Sequence, residues 1–240
     1  MDGNGRWAQE RAHRRLWGHV RGSRVVSNIV EKASDLGLKA LTLYAFSTEN
    51  WSRPLPEVTG LFTLLKKFLL QEEKRILSNN IRFKVIGDIE KLPEETQKII
   101  RTLENKTQHA TGLKLSFAFS YGGRDELVRS INTHIKNHPG ELICEESLQS
   151  CLMTSDCGDV DLLIRTGGDQ RISNFLLWQV AYAELYFTQT KWPEFSSLEF
   201  EKILKEVAFR ERRFGSVGDK NSFEQAKETA RAQEKLFERK

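Results

Sequence analysis

Apolar residues in this chain of 240 residues follow two spacings, one typical of helices and one typical of buried strands. In residues 22–36 they recur every three or four positions, which predicts a helix. Residues 40–46 are almost continuously apolar, which predicts a strand covered on both faces. Further strands are predicted at 81–86, 113–119, 160–164 and 184–187. Further helices are predicted at 58–77, 93–111, from just after Arg124 to about 137, around 145–153 and at 198–209. This alternation predicts an α/β fold, a single domain with a mostly parallel sheet.

The predicted helix at residues 58–77 has a broader apolar face than surface helices usually have. The predicted strand at 113–119 carries apolar residues at alternate positions, and the two elements together could line a hydrophobic pocket. Ordinary core packing explains the same residues more simply. The pattern alone therefore favours a packed core.

Composition narrows the classes of protein that fit. The net charge of +4 suits an anionic small substrate, an anionic membrane surface or nucleic acid equally well. No apolar run reaches the roughly 18 residues of a membrane span. Cys144, Cys151 and Cys157 lack the spacing of a disulfide framework or a zinc site, which predicts reduced thiols and a cytoplasmic location. Nucleotide-triphosphate, dinucleotide, esterase and zinc-protease motifs are absent from the sequence.

The first loop combines groups that suit a phosphorylated ligand. Gly3 and Gly5 allow close backbone approach, and Arg6 offers a fork of hydrogen-bond donors for phosphate oxygens. Asp2 would repel a phosphate unless a divalent cation lay between them, and Mg²⁺ is commonly held by one or two carboxylates plus substrate phosphates. The segment therefore predicts a site for Mg²⁺ and pyrophosphate. A glycine and asparagine turn with a helix-capping Asp2 is the structural alternative.

Two more loops follow predicted strands and lie at the same edge of a parallel sheet, residues 47–53 and 165–173. Arg165, Arg171 and Ser173 predict a second anion site, unless the two arginines simply pair with Asp169 and Asp161. Glu184 follows a buried-looking segment and predicts either a metal ligand or an ion pair with one of those arginines. Two anion sites and two separated carboxylates indicate a Mg²⁺ enzyme that acts on two phosphorylated substrates.

Several blocks of this sequence, in order, resemble the cis-prenyltransferase family. The blocks lie at residues 1–8, 18–19, 43–54, 121–124, 164–168, 171–179, 183–187 and 210–215. The resemblance covers nearly the whole chain and is closest to the bacterial members that make undecaprenyl diphosphate. It implies condensation of isopentenyl diphosphate units onto farnesyl diphosphate to give a long Z-polyprenyl diphosphate, undecaprenyl diphosphate, which is the precursor of the lipid carrier for cell-wall synthesis.

The resemblance also implies roles for individual residues. Asp2 and Asn50 would be catalytic, and Mg²⁺ would be held by Asp2 and Glu184. Farnesyl diphosphate would lie among Gly3, Asn4, Gly5, Arg6, Trp7, Arg15 and His19. Isopentenyl diphosphate would be bound by Arg165, Arg171, Ile172 and Ser173. The loop that closes over both substrates would contribute Ser47, Thr48, Glu49, Asn50, Trp51 and Arg53. The growing chain would enter a hydrophobic tunnel between the helix at 58–77 and the strand at 113–119, which reverses the preference for a simple core.

The resemblance implies a homodimer in which Glu184 acts close to the partner subunit, and a transient contact with the inner face of the membrane for product release. Residues 1–215 would form the prenyltransferase domain, and residues 216–240 a charged helical tail. The family has an apolar strand before the Met-Asp pair that this sequence lacks. We therefore expect a six-stranded sheet whose first strand is missing here, as in an N-terminally shortened version.

Two other hypotheses remain from the sequence. Non-catalytic partner subunits of two-subunit cis-prenyltransferases usually lose the aspartate of the first loop, whereas Asp2 is present here. A nucleic-acid-binding domain would cluster basic residues with aromatic platforms, whereas these arginines lie in glycine-rich loops beside carboxylates. We therefore expect an enzyme, and no nucleic-acid partner.

Overall fold

The computed structural model describes residues 1–208, and its contacts separate a unit Met1–Ser197 from a second unit that begins at Leu198. The strands are β1 (Ala40–Ser47), β2 (Arg82–Ile86), β3 (Lys114–Tyr121), β4 (Leu162–Arg165) and β5 (Glu184–Phe187). The helices of the first unit are α1 (Asn4–Gln9), α2 (Arg15–Asp35), α3 (Leu55–Ser78), α4 (Glu94–Thr107), α5 (Gly123–Asn137) and α6 (Glu145–Cys151). Helix α7 (Ser197–Ala208) lies at the start of the second unit. The predicted α/β class is confirmed, and the predicted tail at 216–240 lies outside the described residues.

The strands form two parallel sheets, which corrects the expectation of one central sheet of six strands. In the first sheet β3 lies between β1 and β2, and in the second β4 pairs with β5. The apolar pattern located all five strands but does not determine which strand edges pair. Residues 1–3 form no strand; instead the Asp2 amide donates to Thr166 Oγ1, and the Trp192 amide donates to the Asp2 carbonyl.

The core of the first unit is centred on β3, which is buried from Leu115 to Tyr121. Helix α3 covers one face of this strand, because the Phe62 and Phe68 rings lie 5.8 and 5.5 Å from those of Phe119 and Phe117. Burying a phenylalanine side chain contributes roughly 1.5–3 kcal/mol. The two elements expected to line a tunnel therefore pack against each other in this structure, and the tunnel stays a prediction.

Close packing between α1 and α2 sets the position of the first loop. A Cβ atom at Gly18 would lie 1.9 Å from the Asn4 carbonyl oxygen, and one at Gly22 would lie 2.3 Å from Asn4 Oδ1. Only glycine permits this approach, because any side chain would push the two helices apart. The first loop is thereby held directly over the turn of α2 that carries His19.

Candidate active site

The loops that follow β1, β3 and β4 meet at the carboxyl ends of these strands, as expected for parallel strands. The closest link joins the first loop to the loop after β4, where Arg165 Nη2 donates to Asp2 Oδ2 at 2.8 Å. Gly3 has a φ of +92°, and its amide donates to Asp2 Oδ1 at 2.6 Å. Burial acts to raise the pKa of Asp2, but the Arg165 and Gly3 hydrogen bonds outweigh it and lower that pKa. Asp2 is therefore an ionised carboxylate.

The predicted second anion site is assembled around one carboxylate, Asp169. Its Oδ2 atom lies 3.2 Å from Arg6, 3.5 Å from Arg165 and 3.1 Å from Arg171, in each case measured to Nη2. Arg165 also donates to Ser173 Oγ at 2.7 Å and to the Arg171 carbonyl. The pairing with Asp169 that the sequence left open is present, and it gathers three arginines at one point.

A second basic group lies where α2 and α3 begin. Glu57 bridges two arginines there, with Oε1 3.1 Å from Arg53 Nη1 and Oε2 3.5 Å from Arg15 Nε. The Arg15 guanidinium also rests against Gly5, since a Cβ there would lie 2.6 Å from its Cζ. Burial, followed by the charge of Arg53, lowers the pKa of His19 to about 4, so its imidazole is neutral at pH 7.

Residues 47–53 form a compact turn at the end of β1. Ser47 and Asn50 cap the short helix Thr48–Ser52, with the Ser47 amide donating to Asn50 Oδ1 at 3.2 Å. Trp51 is anchored by its indole N–H, which donates to Ser120 Oγ at 3.0 Å. The turn is thus ordered by its own side chains, with Thr48 next to Gly122, where a Cβ would lie 2.7 Å from Thr48 Oγ1.

Asn174 joins this turn to the other loops, and sequence reasoning gave it no role. Its side-chain amide donates to Glu49 Oε1 at 2.8 Å and accepts from the Arg124 amide at 2.9 Å, while its carbonyl accepts from the Gly123 amide at 2.7 Å. Burial acts to raise the pKa of Glu49, but hydrogen bonds led by Asn174 lower it. Asn174 has a φ of +62°, a conformation that asparagine tolerates better than most residues. The available sequence signal was the dipeptide Ser173-Asn174, because both residue types favour turns.

Glu57 was the other residue that the sequence analysis missed. It lies in the first turn of α3, close to Pro54 and Pro56, where an acidic residue is interpreted as a favourable charge at a helix N-terminus. Trp7 is buried with its ring 5.1 Å from that of Trp17, and its expected contact with substrate stays a prediction. Ile172 is half-buried between the two anion-site residues that flank it in sequence.

The single chain does not bring Glu184 to Asp2. In the strand pairing, Glu184 lies opposite Leu162 at the start of the second sheet. Arg165, the hydrogen-bond partner of Asp2, lies opposite Phe187 at the end of that sheet. Three residues of strand separate the two pairs by about 10 Å. Among residues 1–208, no three His, Cys, Asp or Glu side chains come together as a metal site.

Buried polar atoms without a protein partner collect in this part of the molecule. Six such side-chain atoms occur in residues 1–208, and three of them belong to Asn4, His19 and Arg165. Buried polar groups in proteins are nearly always hydrogen-bonded, so a cluster of exceptions indicates a place where a ligand supplies the missing partners. Arginine forks beside a neutral imidazole suit an anionic ligand with several oxygens.

Comparison with known proteins assigns the family. Residues 1–215 match the family described as "Putative undecaprenyl diphosphate synthase". The chain is 46% identical to an isoprenyl transferase of Aquifex pyrophilus over 219 residues, covering 91% of this chain and 94% of that one. An isoprenyl transferase of Fusobacterium nucleatum is also 46% identical, over 217 residues, covering 90% and 94%.

Solved structures agree with this assignment. Lavandulyl diphosphate synthase from Lavandula x intermedia, in complex with dimethylallyl diphosphate, superimposes with a TM-score of 0.85 at 34% identity, covering 90% of this chain and 95% of that one. A probable undecaprenyl diphosphate synthase from Campylobacter jejuni gives 0.76 at 38% identity, covering 82% and 93%. The chain therefore belongs to the undecaprenyl diphosphate synthase family and is an enzyme that transfers prenyl groups.

Proposed function

We propose that this enzyme is a Mg²⁺-dependent cis-prenyltransferase that adds isopentenyl diphosphate units to farnesyl diphosphate and makes a long Z-polyprenyl diphosphate, undecaprenyl diphosphate. The observation that carries the proposal is the contact between Asp2 and Arg165, which joins two arginine-rich loops at one edge of the strands. Two diphosphates bound to those loops would place their prenyl groups side by side. The bound dimethylallyl diphosphate of the lavender relative is an allylic diphosphate of the same chemical class.

The proposed allylic site is the first loop together with the α2 turn above it. Arg6, Arg15 and His19 would surround the diphosphate, with the backbone of Gly3 to Gly5 close enough to donate to it. The isopentenyl site would use Arg165, Arg171 and Ser173, which already form one hydrogen-bonded group. Asn50 and Arg53 would face both sites from the turn at 47–53, which closes over them in this proposal.

The donor set fits a Mg²⁺ ion held by one carboxylate and substrate phosphates. Asp2 is ionised, its side chain is 38% exposed, and arginines that would draw in phosphate oxygens surround it. When bound there, Mg²⁺ would neutralise charge on the departing pyrophosphate. Glu184 would join such a site only from the partner subunit.

The chain's own residues would serve a reaction in three bond changes. The C1–O bond of the allylic diphosphate breaks and leaves an allylic cation and pyrophosphate; the arginine forks stabilise the negative charge that develops on the pyrophosphate. The isopentenyl double bond, oriented through its own diphosphate, attacks C1 and forms the new C–C bond. Loss of a proton from the resulting tertiary cation restores a double bond and completes the elongation.

The proposed homodimer is supported by exposed apolar residues near Glu184. Tyr182 and Leu185 are 73% and 43% exposed on either side of it. Helix α5 adds a stripe at helical spacing, with Val128 and Ile135 each 58% exposed and Ile131 between them. Covering Tyr182 and Leu185 with a second copy would bury them and bring another chain to Glu184, and the α5 stripe would offer a further apolar surface for such a contact.

The proposed product tunnel runs between α3 and β3, whose facing side chains are aromatic and aliphatic. Opening it requires Phe62 and Phe68 to leave Phe119 and Phe117, so occupancy by a lipid chain would replace ring contacts with prenyl contacts of similar polarity. A cytoplasmic location belongs to the same proposal and is consistent with three free cysteines.

The test is an assay of the purified protein with radiolabelled isopentenyl diphosphate, farnesyl diphosphate and MgCl₂. We expect label in a butanol-extractable lipid whose chromatographic mobility gives the chain length, and no label when MgCl₂ is replaced by EDTA. A lipid product shorter than undecaprenyl would keep the reaction and overturn the assigned product. No lipid product would contradict the proposal and favour a binding subunit that needs a catalytic partner.

A further inference from the structure

The N-terminal half of α2 and the turn before it carry an unusual excess of positive charge. Residues 11–30 contain five arginines and two histidines, with no aspartate or glutamate. Two of the arginines are engaged by carboxylates: Arg11 Nη2 lies 2.5 Å from Glu194 Oε1, and Arg15 pairs with Glu57. Arg14, Arg21 and Arg24 are exposed and form no ion pair with any residue in the described part of the chain.

The unpaired arginines share one face with exposed apolar side chains. Positions 17, 20, 21 and 24 are three and four residues apart, so they lie on the same side of the helix. Trp17 is 44% exposed and Val20 is 43% exposed, whereas the opposite side buries Val25, Val26, Ile29 and Val30. We call Arg14, Trp17, Val20, Arg21 and Arg24 the α2 basic face.

Trp17 is held in place before any partner arrives. Its ring stacks on that of Trp7 at 5.1 Å, and the His13 ring lies 4.3 Å away. A fixed indole with an exposed edge loses little side-chain entropy when it enters an interface, and tryptophan prefers the boundary between lipid headgroups and acyl chains. The Trp7 ring occupies one of the two faces on which a nucleic-acid base would stack.

We propose that the α2 basic face docks the enzyme on the surface of an anionic lipid bilayer. Arginines attract the negative headgroups, and each basic side chain near such a surface strengthens binding by about fivefold. Trp17 and Val20 enter the headgroup boundary beside them. No helix in residues 1–208 is long and apolar enough to cross a bilayer, so this face would hold the protein at the surface only. The docking does not depend on the proposed reaction. Its benefit, the delivery of a prenyl lipid into the membrane, does depend on that reaction.

The experiment is cosedimentation of the full chain with sucrose-loaded vesicles of phosphatidylcholine, with or without phosphatidylglycerol. We expect binding only to the anionic vesicles. The double variant Arg21→Glu and Arg24→Glu should weaken that binding by roughly 30-fold or more. Its matched control is Lys67→Glu with Lys136→Glu, which makes the same change in net charge on two exposed lysines elsewhere and should bind within about threefold of the unchanged protein.

Three outcomes would overturn the proposal. The first is equal binding to neutral and anionic vesicles, and the second is an equal loss of binding in the two double variants. The third is binding to duplex DNA or RNA, in place of vesicles, when that binding depends on Arg21 and Arg24. Circular dichroism of each variant identifies a folding defect. Turnover of farnesyl diphosphate in detergent should be the same for the Arg21 and Arg24 variant and the unchanged protein. Failure of turnover in every protein, with vesicle binding intact, would contradict the proposed reaction and leave the docking face supported.

Discussion

Two polar clusters in the first unit differ in how completely their hydrogen bonds are satisfied. At the candidate active site, Arg165 contacts two carboxylates, yet its buried Nε atom has no hydrogen-bond partner in residues 1–208, and neither has His19 Nε2. Between β3 and α5, by contrast, the charged group is satisfied: the carboxylate of Glu126 is almost fully buried and accepts hydrogen bonds from the Tyr121 hydroxyl, Gln179 Nε2 and the Met153 amide, and the atom of this cluster left without a partner in residues 1–208 is the neutral Gln179 Oε1.

We infer that the difference separates residues that hold the fold from residues whose proposed role is to bind a ligand. Glu126 ties β3 and α5 to the segment at 153 and to Gln179, and a buried carboxylate of this kind is tolerated because donors surround it. The groups at the candidate active site are more exposed. They pair with carboxylates that a bound anion could replace, and some of their polar atoms have no hydrogen-bond partner in residues 1–208. Changes around Glu126 should therefore reduce stability, and changes at the candidate active site should reduce activity.

The largest effect is expected from Asp2→Ala. Removing the carboxylate proposed to hold Mg²⁺ should lower kcat by about 10³-fold or more, while the free energy of unfolding changes by less than about 1 kcal/mol because Asp2 is partly exposed. Steady-state assays and urea unfolding measure the two quantities. Glu94→Ala, which removes an exposed partner of Lys98, is the control and should change neither. Full turnover in the Asp2 variant would remove this residue from the metal site.

Glu126→Ala should show the opposite behaviour. It leaves the Tyr121 hydroxyl and two N–H groups buried without an acceptor, so we expect a loss of about 3 kcal/mol in the free energy of unfolding. Glu126→Gln retains an acceptor oxygen and should lose about half as much. Below the unfolding transition both variants should keep kcat within a few-fold. A stable Glu126→Ala protein with impaired turnover would break the comparison.

Arg171→Ala should act on binding of one substrate. Loss of a charged hydrogen bond costs roughly 1.5–3 kcal/mol, which corresponds to a rise of about 10- to 150-fold in KM for isopentenyl diphosphate, with stability unchanged. Arg82→Ala is the control. Arg82 is an exposed arginine on β2, and its Nη1 atom lies 3.9 Å from Asp156 Oδ2. An unchanged KM in the Arg171 variant would place the isopentenyl diphosphate elsewhere.

His19 should give the smallest effect, visible as pH dependence. Its folded-state pKa of about 4 lies below the usual 6.5, so the unfolded chain binds a proton first as pH falls. Stability should therefore be complete above pH 6.5 and decrease towards pH 4, by roughly 2 kcal/mol between pH 7 and pH 5. Urea unfolding of the unchanged protein and His19→Gln measures this, and the variant should lose less. Inorganic pyrophosphate should reduce the loss, because a bound anion favours the imidazolium. Parallel pH profiles for the two proteins would show that His19 is not the group responsible.

The local sequence pattern was sufficient to predict the helices and strands and the strand ends at which the candidate site lies. Alternation of apolar residues located β3, and glycines beside arginines located the loops that Asp2 and Arg165 join. Seven of the predicted residues lie in two groups joined by hydrogen bonds or ion pairs: Asp2, Arg6, Arg165, Arg171 and Ser173 around Asp169, and Arg15 and Arg53 around Glu57.

What the sequence did not show depends on contacts between distant segments. Pairing of strand edges decides between one sheet and two, and no periodicity encodes it. Asn174 acts through Glu49, which is 125 positions away, so its role is visible only when the loops are folded together. Glu57 resembled a helix-end charge because its two arginine partners lie on other elements or outside the helix.

The tight crossing at Gly18 has a consequence for how variation in this protein is interpreted. With the Asn4 carbonyl 1.9 Å from where a Cβ would be, even alanine must displace the first loop. Such a substitution would abolish turnover as thoroughly as the loss of a reacting group, although Gly18 has no side chain to contribute. Intolerance at position 18 in a mutational survey would therefore report steric clearance, whereas its neighbour His19 is the residue proposed to contact the ligand.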